Sequence, residues 1–339
     1  MPEAPAGWES LVAADPCATA AHRAGTCAAF AQTLPAMASR FVVVEREARL
    51  LGGAPLVIAR RAGFRWIHAL PFLLPGAPLA VAGAREEVDA AVARALGALQ
   101  RELRVVGGEW SLYRPREAPP APAALEAVSG ETRIAETAVV DLAGGIEGAW
   151  ARMERKTRQA IRGARSRGLE FAEEPDALSE AYALYARQAR GWRGHRARPV
   201  ELSRRLLAPA AADTACGPLA RLFTVRDRRG LLSATLVLDH PREVMAWWSG
   251  THPDARGKEA AVLLLATVVE WAAREGRERV NLGGNAGLPA LAHFKRALGA
   301  ATVRHPVRWL DARHATAAGR MLAATQAALR RRRARGAAA

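Results

Sequence analysis

The second half of the chain alternates strand and helix patterns, and this alternation constrains the fold more than any other sequence feature. The predicted elements run in this order: strand Val244–Ser249, loop Thr251–Gly257, helix Lys258–Arg274, strand Arg279–Leu282, turn Gly283-Gly284-Asn285, helix Leu288–Leu298 and strand Val303–Leu310. Just upstream, Leu219–Val225 and Leu231–Leu238 flank a turn-forming segment in a hairpin pattern. This order predicts a mixed α/β fold whose mostly antiparallel strands are interrupted by helices.

The first half gives weaker patterns. Val88, Val92, Leu96 and Leu99 recur at helical spacing and predict a helix over 86–103. We expect strands at 41–44, 56–59 and 65–70, and a largely irregular segment over 1–38 in which a short helix is open. Between the halves, the apolar stripe from Ile146 to Ala164 predicts one helix that ends at Gly168. A length of 339 residues suits two domains.

The positive charge is patchy. The chain carries 46 Arg and 3 Lys against 33 acidic residues, a net charge of +16. Windows 145–168, 186–205 and 330–339 carry net charges of +5, +6 and +5, so the remaining 285 residues are neutral overall. We expect the Arg330–Arg335 tail to be disordered, with nonspecific contact to RNA or anionic lipid open to it. Such patches favour an anionic partner more than a uniform excess would.

Cysteine usage and hydropathy indicate a soluble cytoplasmic protein. Cys17, Cys27 and Cys216 are too scattered for a disulfide framework or a zinc site, so we expect no metal. No secretory signal pattern is seen, and prolines interrupt the uncharged stretch 66–84. The sequence therefore predicts no membrane-spanning segment and leaves peripheral contact with a membrane open.

Three motifs follow one another between residues 138 and 310: VVDLAGGIEGAWARMERKTRQAIRGARSRG, WWSGTHPDARGKEAAVLLLATVVEWAAREG and VNLGGNAGLPALAHFKRALGA. In order and spacing they resemble the FemAB-like branch of the GNAT superfamily of N-acetyltransferases. The resemblance implies tandem GNAT-like domains, a mixed sheet with a splayed central pair of strands and flanking helices. It suggests a degenerate domain over 1–136, an acyltransferase domain over 137–312 and a C-terminal helix with a basic tail over 313–339.

The resemblance also implies where an activated donor binds. In this fold the turn before the helix holds the pyrophosphate of coenzyme A, and helix N-termini suit anions because their N–H groups are unpaired. The implied donor-binding residues are Trp248, Ser249, Arg256, Gly257, Lys258, Gly283, Gly284 and Asn285. Asp254 and Glu259 stand at the flanking motif positions, where carboxylates repel a pyrophosphate. The donor therefore stays open between acyl-coenzyme A as a co-substrate, slightly favoured, and an aminoacyl-tRNA; no bound cofactor is expected.

Lys295 and His252 are the predicted catalytic residues. Phe294-Lys295 matches an FK signature of the resembled family, and Lys295 stands in a chain dominated by Arg. An ammonium there would stabilise negative charge on a tetrahedral intermediate or bind an acidic acceptor; the alternative is a solvated helix lysine. His252 is a candidate general base. Asn281 can orient a neighbour but not act as a base, and we expect either Trp247 or Trp248 to line the cleft.

Two basic segments are the predicted acceptor site. Arg158 and Arg162 lie at helical spacing, and an arginine-rich loop follows Trp192. The predicted acceptor-binding residues are Arg158, Arg162, Trp192, Arg193, His195 and Arg196. Guanidinium groups suit phosphates and carboxylates, as in a tRNA end or a carrier-linked glycan precursor. Solvated basic surfaces are the alternative interpretation of both segments.

Two functions from different classes follow. The first is an N-acyltransferase that moves an acyl or aminoacyl group to an amine on an anionic acceptor, such as a cell-wall or polysaccharide precursor. The chain lacks the heptad stretch of relatives that modify cell-wall peptides, which disfavours that acceptor. The second is a non-catalytic protein on a retired transferase fold that binds nucleic acid or anionic lipid through its basic patches.

Overall fold

The computed structural model describes residues 3–34, 36–118, 120, 122–191, 197–209, 216–255 and 257–338. The chain divides into two compact units. The first unit combines Met1–Ala135 with Arg304–Ala339, and the second is Glu136–Val303. The predicted residues Trp192, Arg193, His195, Arg196 and Arg256 lie outside the described residues.

The helices and strands alternate along the described chain. The helices are α1 Trp8–Ala14, α2 Ala24–Thr33, α3 Arg85–Glu102, α4 Pro122–Leu125, α5 Gly145–Arg152, α6 Arg155–Ser166, α7 Leu178–Arg190, α8 Val200–Leu207, α9 Ala260–Arg274, α10 Pro289–Ala297 and α11 Ala317–Ala338. The strands are β1 Met37–Arg46, β2 Arg49–Arg61, β3 Phe64–His68, β4 Leu79–Ala80, β5 Gly107–Ser111, β6 Gly130–Asp141, β7 Glu170–Glu173, β8 Ala220–Asp227, β9 Gly230–Leu238, β10 Glu243–Thr251, β11 Arg279–Asn281 and β12 Ala301–Leu310.

The first unit packs α3 against a mixed sheet. Its strands follow the order β1-β2-β3-β5-β12, with β4 paired to β2. The predicted apolar face of α3 is confirmed, because Val88, Val92 and Leu96 are fully buried in a core cluster with strand residues such as Leu56 and Ile67. Burying side chains of this size stabilises the fold by about 1.5–3 kcal/mol each.

The segment 1–38 is more helical than expected, since it holds two α-helices where one short helix was open. This segment forms α1 and α2 and leads into β1. Trp8 and Phe30 are buried, and the indole N–H of Trp8 donates to the carbonyl of His22 at 2.8 Å. The apolar residues of segment 1–38 are too few to give a clear helical period in the sequence. Tertiary packing of residues such as Trp8 and Phe30 stabilises these helices instead.

His22 is a fully buried titratable group of the first unit. Its Nδ1 accepts a hydrogen bond from the amide of Thr19 at 3.2 Å, and its Nε2 lies 3.0 Å from the carbonyl of Ala77. Neutral His22 with its proton on Nε2 satisfies both contacts. Burial lowers the pKa of His22 to about 4.

Acid should therefore destabilise the first unit through His22. As the pH falls from about 6.5 towards 4, the unfolded chain binds a proton at this residue that the folded chain excludes, so stability is lost. Between pH 7 and pH 4.5, we expect the wild type to lose about 2 kcal/mol more unfolding free energy than His22→Gln. Urea unfolding at both pH values measures this difference. Equal losses would show that His22 does not carry the acid sensitivity.

The second unit builds a sheet with one parallel pair of strands. Its strands follow the order β6-β11-β10-β9-β8-β7. The sequence β10, α9, β11 forms a βαβ unit, since β10 and β11 pair in parallel and α9 connects them. Buried residues of α9, including Leu264 and Val268, join the core cluster of this unit. The predicted mixed, mostly antiparallel sheet is confirmed.

The prediction of one helix from Ile146 to Ala164 is wrong. The chain leaves the helical conformation at Met153 and Glu154, which separate α5 from α6. Arg158 donates to the carbonyl of Trp150 at 3.1 Å and to that of Met153. Its guanidinium thus provides donors for carbonyl groups at the C-terminal end of α5, which lack partners within the helix. The amide of Glu154 bonds to the carbonyl of Ala297. Tertiary contacts thus break a continuous apolar stripe into two helices.

The C-terminal segment is also more regular than expected. The backbone is helical through Ala338, so the expectation of a disordered Arg330–Arg335 tail is wrong for the backbone. Among the described residues, no helix is both long and apolar enough to cross a membrane.

Candidate active site

The parallel strands β10 and β11 separate soon after they meet. Their pairing covers Glu243–Met245 against Arg279–Asn281, whereas β10 continues to Thr251. Past Asn281 the chain stays with β6, because Leu282 and Gly283 exchange backbone hydrogen bonds with Ala138. We call this opening, between β10 beyond Met245 and the segment 282–285, the fork. The predicted splayed pair of strands is confirmed.

Lys295 lies at the β11 side of the fork. Helix α10 begins with Pro289 and directs Lys295 inward, where the side chain is only 6% exposed. Its Nζ donates to the carbonyls of Gly283 at 2.9 Å and Gly284 at 2.8 Å. The alternative of a solvated lysine is therefore wrong. The structure brings together three predicted site residues: Lys295, Gly283 and Gly284.

The electrostatics of Lys295 suit a group that meets developing negative charge. Burial lowers the pKa of Lys295 to about 8, whereas the two carbonyl partners favour the charged form. The ammonium is therefore mostly protonated at neutral pH. It has three N–H donors, and the third has no partner among the described residues. That donor can stabilise an oxyanion.

Asn281 fixes the turn that holds Lys295. Its Oδ1 accepts hydrogen bonds from the amide of Gly283 at 2.8 Å and from Thr137 Oγ1 at 2.7 Å. Its Nδ2 donates to Glu243 at 3.3 Å. Gly283 has a φ of +75°, which glycine adopts without strain. These hydrogen bonds align the turn through the Gly283 amide, and an orienting role for Asn281 stays a prediction.

Sequence reasoning missed Thr137 and Glu243. Glu243 is fully buried and pairs with Arg279 at 2.8 Å, directly across the parallel strands. Thr137 lies on β6, more than one hundred residues away from Asn281 in the chain. Neither residue belongs to a recognisable motif. Glu243 follows Arg242 directly in the sequence, and this charged pair gave no signal of burial.

Asn285 completes the turn. Its Oδ1 is buried and has no hydrogen-bond partner among the described residues, although the residue itself is partly exposed. Its backbone carbonyl accepts from Leu288 at the start of α10. A buried carbonyl oxygen without a donor carries a desolvation cost, which a ligand N–H would relieve.

The two tryptophans of β10 do not line the fork. A β-bulge between Ala246 and Trp248 shifts the register, and Trp247 and Trp248 are each 3% exposed. Trp248 stacks on Tyr185 with centroids 4.9 Å apart, and its indole N–H donates to Ser203 at 3.1 Å. The expectation that one indole lines an open cleft is wrong, because helix α7 covers this face.

Ser249, near the end of β10, and His252, just after it, both form hydrogen bonds with neighbouring residues. Ser249 donates to Thr235 Oγ1 at 2.9 Å. The Nδ1 of His252 accepts from the amide of Asp254 at 3.2 Å, so neutral His252 carries its proton on Nε2. The lone pair that a general base needs is thus engaged, which does not favour the predicted base role of His252.

The loop before α9 is acidic at both ends. Asp254 is exposed, and Glu259 adopts a left-handed conformation with a φ of +61°, so α9 begins two residues later than predicted. Lys258 is engaged in an ion pair with Asp227 at 2.7 Å. Gly257 is exposed beside it.

Two of the predicted acceptor-binding residues, Arg158 and Arg162, lie in the described part of the chain. Arg158 is engaged by the end of α5, whereas Arg162 is exposed and forms no ion pair among the described residues. Beyond the undescribed stretch 192–196, two tyrosines hold the chain: Tyr182 donates to the carbonyl of Arg198, and the amide of Arg198 donates to Tyr185. The guanidinium of Arg198 lies 4.9 Å above the ring of Trp247.

One close group of metal-type ligands occurs among the described residues, formed by Asp15, Cys17 and Glu117 in the first unit. Arg85 pairs with Asp15 at 2.9 Å and with Glu117 at 2.7 Å. A guanidinium therefore already neutralises these carboxylates, and the group carries no argument for a metal.

Comparison with known proteins supports the resemblance. A family model described as an acetyltransferase (GNAT) domain matches residues 151–296. A search of curated protein sequences found no significant match. The crystal structure of FemX is similar with a TM-score of 0.69 and 12% identity, over 88% of this chain and 94% of FemX.

Two further solved structures are similar. A tandem GNAT protein from the clavulanic acid biosynthesis pathway gives a TM-score of 0.54 at 16% identity, over 90% of this chain and 94% of that one. The C-terminal domain of a putative lysylphosphatidylglycerol synthetase from Agrobacterium fabrum gives 0.53 at 11% identity, over 84% and 86%. At these identities the likeness shows the fold. Residues 151–296 therefore match an acetyltransferase domain of the GNAT type, and the chain has a fold similar to those of FemX and of a tandem GNAT protein.

Proposed function

We propose that this chain is an N-acyltransferase that moves an acyl or aminoacyl group from an activated donor to an amine on an anionic acceptor. The observation that carries the proposal is Lys295, a buried ammonium tied to the Gly283-Gly284 turn at the fork of a GNAT domain. Buried charges without an ion-pair partner are costly, so function is the better reason for this one.

The reaction needs positioning and charge stabilisation more than a dedicated base. The acceptor amine attacks the donor carbonyl, a C–N bond forms, and the C–S or C–O bond to the leaving group breaks. The amine loses one proton and the leaving thiolate or alkoxide gains one. Lys295 donates its remaining N–H to the carbonyl oxygen as negative charge develops there.

The donor binds at the fork in this proposal, with Asn285 receiving an N–H of the donor. Acyl-coenzyme A is a natural co-substrate for a GNAT domain. The acidic residues Asp254 and Glu259 disfavour a pyrophosphate at the loop before α9, which keeps an aminoacyl-tRNA in consideration. The undescribed Arg256 would have to offset them for coenzyme A. The second unit carries the chemistry, and the first unit serves as a degenerate copy.

The acceptor is an anionic molecule, carrier-linked or lipid-linked. Arg162 on α6 supplies an exposed guanidinium without an ion pair among the described residues. One similar structure belongs to a putative lysylphosphatidylglycerol synthetase, which makes a phospholipid head group a reasonable acceptor class. Guanidinium groups bind phosphates in a bidentate manner.

Calorimetry with the full chain at physiological salt tests the proposal. We expect saturable, stoichiometric binding of either acetyl-coenzyme A or an aminoacyl-tRNA, with the free thiol or the deacylated tRNA binding no more tightly. Binding of neither donor would overturn the transferase function. Salt-sensitive binding of any nucleic acid, acylated or not, together with no donor binding would instead support the non-catalytic alternative.

A further inference from the structure

Folding brings together arginines of the first unit that are distant in the sequence. None of the three basic windows of the sequence contains them. The hairpin between β2 and β3 places Arg60 opposite Arg65 and Arg61 opposite Phe64. Arg65 donates to the carbonyl of Leu103 at 3.4 Å, which brings the end of α3 beside the hairpin. We call this group the arginine tip, and its members are Arg60, Arg61, Arg65, Arg101 and Arg104.

The arginine tip lacks acidic compensation. None of its five guanidinium groups forms an ion pair with a described carboxylate, whereas Arg46, Arg133 and Arg313 of the same unit all do. Glu102 is the acidic residue within the α3 segment of the tip. Like charges gathered in one region without paired carboxylates repel one another unless an anion binds among them.

The tip also offers a place for a ligand. Residues 60–65 line a shallow cavity of about 280 Å³. Arg65 is one of these lining residues, and its Nε is buried without a hydrogen-bond partner among the described residues. A buried donor of this kind is costly when left unsatisfied, and a phosphate oxygen would satisfy it.

Helix α11 begins beside the tip and exposes apolar side chains. The amide of Val106 bonds to the carbonyl of Arg65, and a Cβ on Gly319 would lie 2.8 Å from Val106. Met321, two residues further on, is 73% exposed, and Leu329 is 49% exposed. The sequence of α11 then continues into five arginines between 330 and 335.

From this juxtaposition we propose that the arginine tip and α11 bind the surface of a bilayer that contains anionic phospholipids. The guanidinium groups contact lipid phosphates, and Met321 and Leu329 enter the apolar boundary below them. The apolar side chains favour a bilayer over RNA, because a nucleic-acid backbone offers them no apolar partner. The inference concerns the first unit and does not depend on the proposed acyl transfer.

Co-sedimentation of the full chain with phosphatidylglycerol–phosphatidylcholine vesicles, without donor or acceptor, tests this proposal. Each arginine near an anionic surface contributes about fivefold to the affinity, so R60A/R61A/R101A should bind about 100-fold more weakly. The matched control is R46A/R133A/R313A, which removes the same charge from ion-paired, exposed positions of the same unit. We expect the control to lose about twofold or less.

The apolar contribution has its own pair of variants. M321S/L329S should weaken vesicle binding about tenfold, whereas Ile134→Ser, an equally exposed apolar site of the same unit, should leave it unchanged.

Equal losses in the two triple variants would overturn the proposal, because net charge alone would then explain binding. Binding to a tRNA-sized RNA that is tighter than to vesicles and equally lost in R60A/R61A/R101A would overturn it in favour of RNA. Circular dichroism checks that every variant is folded.

Discussion

Lys295→Ala should lower kcat for acyl transfer about 100- to 1,000-fold, the usual cost of removing one group that stabilises an oxyanion. The variant removes the buried ammonium at the fork and leaves the carbonyls of Gly283 and Gly284 in place. The melting temperature should also fall, because the variant leaves a cavity and removes the donor of two carbonyls, although it relieves the cost of a buried charge. Release of the donor's leaving group in the presence of an amine acceptor measures the rate.

Arg296→Ala is the matched control for Lys295→Ala. Arg296 is the next residue on α10, is exposed and also carries one positive charge. We expect kcat of this control to stay within about twofold of the wild type, since exposed surface substitutions away from a site have small effects. A folded Lys295→Ala variant that keeps at least half of the wild-type activity would remove Lys295 from the chemistry.

The pH profile separates a charge role from a packing role. The pKa of Lys295 is lowered to about 8 by burial, so kcat of the wild type should fall as the pH rises through about 8 and the ammonium loses its proton. A guanidinium stays protonated throughout this range. The residual activity of Lys295→Arg should therefore lack that alkaline decline. An identical decline in both proteins would assign it to another group.

Local patterns predicted the βαβ region well. β10, α9, β11 and α10 begin or end within a few residues of the positions that apolar periodicity and glycine turns indicate. α9 is buried over most of its surface, so its nearly continuous apolar run is easily recognised, and glycines follow both α9 and β11. The motifs that these elements carry were sufficient to indicate the GNAT fold and the neighbourhood of Lys295 with the Gly283-Gly284 turn.

Features that depend on distant contacts were not predictable. The break between α5 and α6 depends on Arg158 satisfying the carbonyls that precede it, and the burial of Trp248 depends on a bulge and on Tyr185. Neither leaves a local pattern, since each requires a partner that only the fold supplies. The arginine tip was not predictable for the same reason. Its members come from separate segments of the sequence, whereas a charge count over a window includes only residues that are consecutive in the chain.

The buried pair of Glu243 and Arg279 links the stability of the second unit to its site. Glu243 is completely buried and Arg279 is 4% exposed, and they lie opposite each other where β10 and β11 pair. Glu243 also accepts from Asn281, which holds the amide of Gly283. Removing one member of a buried pair is costly because the other charge stays in a medium that solvates it poorly.

We therefore expect Glu243→Ala to lower the free energy of unfolding by about 3–5 kcal/mol. Glu278→Ala is the matched control, because Glu278 bonds to the same Arg279 at 3.1 Å but is 30% exposed; its loss should cost about 1 kcal/mol or less. Urea unfolding monitored by tryptophan fluorescence measures both. Glu243→Ala should also lower kcat, since Asn281 then loses one of the contacts that align the turn beneath Lys295. Equal destabilisation by the two variants would contradict this assignment, because burial is the property that distinguishes the two carboxylates.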